Sequence, residues 1–137
     1  MKQVIIGILL LLIIWLCWGG CGGNVYQDNL MGTWGGKHIS MTIVDSSITL
    51  EYDCARGTID EPLEPDEQGR FEVTGIHIIE HGGPIRSDEI PDKHPALYKG
   101  KIEENVMTLT VILTDRETVF GEFTLTHGDY PEIYKCL

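Results

Sequence analysis

Residues 39–54 read ISMTIVDSSITLEYDC. Ile39, Met41 and Ile43 alternate with Ser40 and Thr42. After Asp45-Ser46, Ile48, Leu50, Tyr52 and Cys54 alternate with Thr49, Glu51 and Asp53. Period two on both sides of a short polar break predicts two strands joined by a tight hairpin, each burying one face.

The same period extends outward. Arg56 to Glu61 reads as a short strand ahead of a Pro62–Gly69 loop, whose two prolines and acidic residues do not suit a ladder. Phe71 and Val73 open a longer strand through Ile79, with Gly75 as a bulge where the apolar register changes face. Glu80 to Pro95, rich in Gly, Pro, Asp and His, is the longest irregular stretch, and sites concentrate in such loops. Tyr98, Gly100 and Ile102 mark the next strand, and Met107, Leu109, Val111 and Leu113 the one after it. Val119, Gly121, Phe123 and Leu125 follow, and Ile133 to Cys136 closes the set. Nothing after Gly32 repeats with a helical period. The expectation is an all-β domain over residues 32–137, a small antiparallel meander β-barrel of about eight strands, because closure removes exposed edges. A two-sheet β-sandwich is the alternative that strand number leaves open.

Ahead of this domain stands MKQVIIGILLLLIIWLCWGGC, residues 1–21. One lysine, an apolar run from Val4 to Trp18 and a small-residue exit make an export signal. As a helix the run reaches only ~22 Å, short of the ~30 Å hydrocarbon core. Trp18-Gly19-Gly20-Cys21 resembles the lipobox of bacterial lipoproteins, in which small residues precede a cysteine that is acylated and becomes the new N-terminus. Trp18 stands where that motif usually has leucine. The resemblance implies a signal peptide over residues 1–20, lipid attachment at Cys21, a tether over 21–31 and a place in the bacterial cell envelope, held to a membrane through the lipid. An uncleaved anchor helix and an ordinary cleaved signal share the same apolar pattern and stay open.

A net charge of −11 argues against nucleic acid as a partner, because phosphates repel an acidic surface. Of the four cysteines, Cys17 leaves with the signal and Cys21 takes the lipid. Cys54 and Cys136 are left to form one disulfide in an oxidising compartment. A meander counted from Trp34 brings both to one barrel end, shared with the tether and the Glu80–Pro95 loop. Two strand spacings of ~4.8 Å exceed the ~7 Å limit on Cα separation, so one cysteine must lie past the ladder.

Gly32-Thr33-Trp34 resembles the Gly-X-Trp start of lipocalins and the Gly-Thr-Trp start of avidin-like barrels. That resemblance implies a ligand-holding cup with the tryptophan closing one end. GTWGGKHISMTI, EYDCARGTIDEPL, GRFEVTG, EHGGPIR, MTLTVILTD and the closing KCL resemble a family of small exported bacterial proteins to which no activity is attached. The pairing of Cys54 with Cys136 fits that pattern.

Chemistry-bearing motifs are sparse. His77 and His81 are the only close histidine pair, and four strand positions separate them by ~13 Å, too far to share a metal ion unless the chain curls to bring in Glu80 or His94. Asp60, Glu61, Glu64, Asp66 and Glu67 lack the spacing of a calcium loop and read as a solvated acidic tip. No nucleophile elbow, phosphate-cradling loop or zinc-protease motif occurs. The expectation is therefore a binding module with no catalytic residues, no metal and no cofactor. In one version Met41, Tyr52, Phe71, Tyr98 and Phe123 line a cavity for a small apolar or amphipathic ligand. In the other the interior is solid and the outer surface meets an envelope protein.

Overall fold

In the computed structural model, which describes residues 29–137, Ile39, Met41, Ile43, Ile48, Leu50 and Tyr52 are all buried while the residues between them are more exposed. The expected signal peptide, the expected lipid site Cys21 and all but the last residues of the expected tether lie outside the described residues. The strands are β1 (Gly32–Gly36), β2 (Ile39–Val44), β3 (Ser47–Tyr52), β4 (Ala55–Ile59), β5 (Arg70–Ile79), β6 (Asp92–Glu103), β7 (Val106–Leu113) and β8 (Thr118–His127). Each pairs antiparallel with the next, and β8 returns to β1 to close the barrel. The meander is observed rather than the sandwich, and the described residues contain no helix.

The first expected strand is in fact two. A two-residue turn at Lys37-His38 separates Gly36 from its partner Ile39, with His38 at a φ of 66°. The extra turn inverts the parity count. The described chain enters at the end that carries the Asp45-Ser46 and Glu104-Asn105 turns and the 60–69 loop. The Asp53-Cys54 turn, the 80–91 loop and the 114–117 turn lie at the opposite end, here termed the mouth. The chain's entry and its long loop thus sit at opposite ends, contrary to the expectation.

Ile133 to Cys136 is not a strand, because β8 has already closed on β1. The tail instead runs back along the outside of β1. The Gly128 N–H donates to Thr33 O (2.8 Å), the His38 N–H to Glu132 O (2.8 Å) and the Glu132 N–H to Gly36 O (3.0 Å). This strap explains Gly35, where any Cβ would run into the Asp129 carbonyl. It ends at the Cys54–Cys136 disulfide, with Cα atoms 5.3 Å apart. Cys54 sits in the β3–β4 turn, past the ladder, as the spacing demanded.

Two register details set up the interior. β5 pairs with β6 without interruption from Arg70↔Lys101 to Ile79↔Asp92, so Gly75 is no bulge. Phe71, Val73, Gly75, His77 and Ile79 therefore share the inward face, and β6 begins early enough to take in His94 and Pro95. Pro95 has no N–H to give, but its carbonyl accepts the Thr114 N–H (3.0 Å). The bulge lies instead between β7 and β8, where Val111 pairs with Gly121 but Ile112 pairs with Val119. The additional residue is Phe120. It takes the inward direction, and Val119 is turned out and is 54% exposed.

The entry end is sealed by buried Leu30 and Leu63. Trp34 donates its indole N–H to Leu30 O (2.9 Å), and His127 packs 4.8 Å from the Trp34 ring while bonding Met31 O (2.8 Å). In the middle, Leu50, Tyr98, Leu109 and Val111 are almost wholly buried, and the Tyr98 hydroxyl fills the space a Cβ at Gly57 would need. Replacing Cys54 and Cys136 together by serine is expected to cost about 2–4 kcal/mol in urea unfolding. Hydrogen exchange at the His38 and Glu132 amides should rise while the β5–β6 amides stay protected; a uniform rise would mean that the strap is not a separate closing element.

Candidate functional site

Four rings meet at the mouth: Tyr52 at the end of β3, His77 near the end of β5, and Phe120 and Phe123 on β8. The Tyr52 centroid lies 5.2 Å from His77, 5.4 Å from Phe120 and 5.3 Å from Phe123, and Phe120 lies 4.0 Å from His77. Strand alternation delivers Tyr52, His77 and Phe123 to this point, and the bulge delivers Phe120.

His77 is 0% exposed and Tyr52 2%, yet neither imidazole nitrogen nor the Tyr52 hydroxyl has a hydrogen-bond partner among the described residues. A buried polar atom left unpaired costs about 1–3 kcal/mol, so such atoms are rare and concentrate where a protein does something. Burial, aided by nearby His94, pushes the His77 imidazole down to about 4. Burial pushes the Tyr98 hydroxyl up, and burial followed by the neighbouring Tyr98 hydroxyl pushes Tyr52 up. The cover over His77 is nevertheless thin, since Phe120, which closes it off, is itself 37% exposed. Beside the mouth the 80–91 loop presents Ile85 and Ile90, both largely exposed, around a hollow of about 140 Å³ shared with Ile78 and Ile79.

His94 makes the contrast. It is the register partner of His77 and is also buried, but its Nδ1 lies 2.7 Å from Asp115 and its Nε2 2.9 Å from Asp92. Both nitrogens are engaged, and the triad pins the 114–117 turn to the start of β6. The hydrogen bond from His94 holds the Asp115 carboxyl below its ordinary range.

The five residues expected to line a cavity all turn inward, but they do not converge. Tyr52 and Phe123 meet at the mouth. Tyr98 lies deeper and donates its hydroxyl to Ile76 O (3.0 Å). Met41 belongs to the packed core, and Phe71 lies over Gly100 toward the entry end. His77 and His81 are not brought together, because His81 lies on the exposed loop, where it bonds Gly82 O (2.9 Å) and Glu89. Among the described residues no group of three His, Cys, Asp or Glu side chains is placed to hold a metal ion. The acidic tip includes a structural turn, in which Asp66 accepts the Gln68 and Arg70 N–H groups (both 2.9 Å).

Sequence reasoning weighed His77 only as a metal-binding partner of His81, not as an inward-facing group, and missed Phe120. An unbroken alternation from Phe71 would have turned His77 inward, and Gly121 beside a phenylalanine, a place where bulges occur, was the signal for Phe120. Comparison with family models, with curated proteins and with solved structures finds no match for this chain.

His77 has a pH consequence. Its folded pKa lies below its unfolded value of 6.5, so the unfolded chain binds more protons between about pH 6.5 and 4. The stability is present above that window and is lost as pH falls through it, with an upper size on the order of 3 kcal/mol. His81, raised by Gly82 O and then by Glu89, acts in the opposite sense at higher pH. The difference between wild type and His77→Phe isolates the His77 contribution. Wild-type Tm should fall more steeply than that of His77→Phe between pH 6.5 and 4, and parallel curves would refute the assignment.

Proposed function

We propose that the protein is a lipid-anchored binding module of the bacterial cell envelope that holds a small amphipathic ligand at the barrel mouth. The observation that carries this reading is the buried His77 imidazole, with neither nitrogen partnered among the described residues, set beside the buried Tyr52 hydroxyl and among aromatic rings of which Phe120 is part-exposed. An apolar enclosure with a few convergent polar groups is the general form of a small-molecule site. The buried side chains that fill the middle of the barrel favour a site at the mouth over a deep cup. A solid barrel acting through its outer wall would leave His77 and Tyr52 without a reason.

The envelope location rests on the apolar leader and the Trp18-Gly19-Gly20-Cys21 motif, and the Cys54–Cys136 disulfide is consistent with an oxidising compartment. The full chain, purified from its own host, should carry an additional mass in native mass spectrometry that disappears on denaturation and is missing from His77→Phe. Identical native and denatured masses would remove the ligand. In the same cells Cys21→Ser should lose its acyl mass and leave the membrane fraction, and full retention there would remove the lipid anchor.

A further inference from the structure

We infer that the mouth takes an uncharged, ring-sized ligand bearing a hydroxyl or carbonyl group, which displaces the Phe120 ring and hydrogen-bonds to His77 and Tyr52. This rests on the binding reading above and gives it a ligand class.

Size comes from what already lies there. The Phe120 phenyl packs 4.0 Å from His77 and 5.4 Å from Tyr52, so a six-membered ring fits the space between those groups. The contacts of the Phe120 ring are all that the ligand has to replace, because Phe120 is the bulge residue, held by no register pair, and residues 114–120 are all exposed. With that ring moved aside, the walls of the space are Tyr52, Phe123 and the face of His77, and aromatic walls favour another ring at centroid distances of 4.5–7 Å.

Charge comes from what is missing among the described side chains of the group. A neutral imidazole offers one donor and one acceptor, and the tyrosine hydroxyl offers both, so a hydroxyl or carbonyl finds its complement. Burial keeps His77 neutral at physiological pH. The charged groups around neighbouring His94 are engaged with it or with each other: Asp92 and Asp115 flank that ring, and Arg116 lies 3.9 Å from Asp92. A carboxylate or ammonium brought between these rings would be stripped of water, and none of the four rings carries an opposite charge to meet it.

Three probes of one size separate the possibilities: phenol, toluene and benzoate, titrated into full-length protein in lipid nanodiscs with ¹⁵N-labelled histidine. Phenol should shift the His77 ring nitrogen resonances saturably and bind roughly tenfold more tightly than toluene, the factor expected for one hydrogen bond to groups otherwise left unpaired. Benzoate should leave His77 unmoved, and Phe120→Ala should strengthen phenol binding. Toluene equal to phenol, or benzoate the best of the three, would overturn the ligand class while leaving a ring-binding mouth. No shift of His77 with any probe, in wild type or in Phe120→Ala, would overturn both this inference and the binding reading beneath it.

Discussion

Barrel closure depends on the pairing of β1 with β8, and this seam is short. It has three register pairs, Trp34 to Gly36 against Leu125 to His127, whereas β5 and β6 share ten. Several other features bear on that seam. Trp34 is anchored to the incoming chain through Leu30, His127 ties the end of β8 to Met31, and the tail lies along the outside of β1. The disulfide then fixes the tail to the β3–β4 turn. The seam is short in ladder bonds and is reinforced from inside by a ring, from outside by a strap and at one end by a covalent link.

Much of this was legible in the chain. The alternation of Ile39 to Tyr52 and of Met107 to Leu113 is dictated by the pleat, and the structure follows it residue by residue. Three features were not legible, for physical reasons. The Lys37-His38 turn places a histidine in the left-handed region without the glycine or asparagine that usually announces it. Ile133 to Cys136 alternates like a strand, yet ladder pairing depends on a free neighbouring edge, and β8 had already taken it. Ile76 and Ile78 are apolar on the outer face, which made the face change after Gly75 look like a bulge and hid the inward direction of His77.

The mouth holds two buried histidines on adjacent strands with opposite fates. His94 is satisfied by carboxylates on both sides and serves the architecture, joining β6 to the following turn. His77, one strand away, packs against the Tyr52 and Phe120 rings, and neither of its nitrogens has a partner among the described residues. The difference comes from β-turn placement, since Asp115 sits where the β7–β8 turn reaches back over β6. No carboxylate among the described residues is similarly presented to His77. A local accident of loop geometry is enough to separate a structural histidine from a candidate functional one.

The order of pairing also constrains how the molecule comes into being. The partner of the first strand is the last, and the Met31–His127 contact joins residues 96 apart in sequence. A chain made from its N-terminus delivers β1 long before β8, so β1 waits with one unpaired edge while the rest is added. Non-local closure of this kind slows folding, and waiting edges invite association between chains. The net charge of −11 opposes such association, because like-charged chains with an open ring repel one another before the final strand completes it.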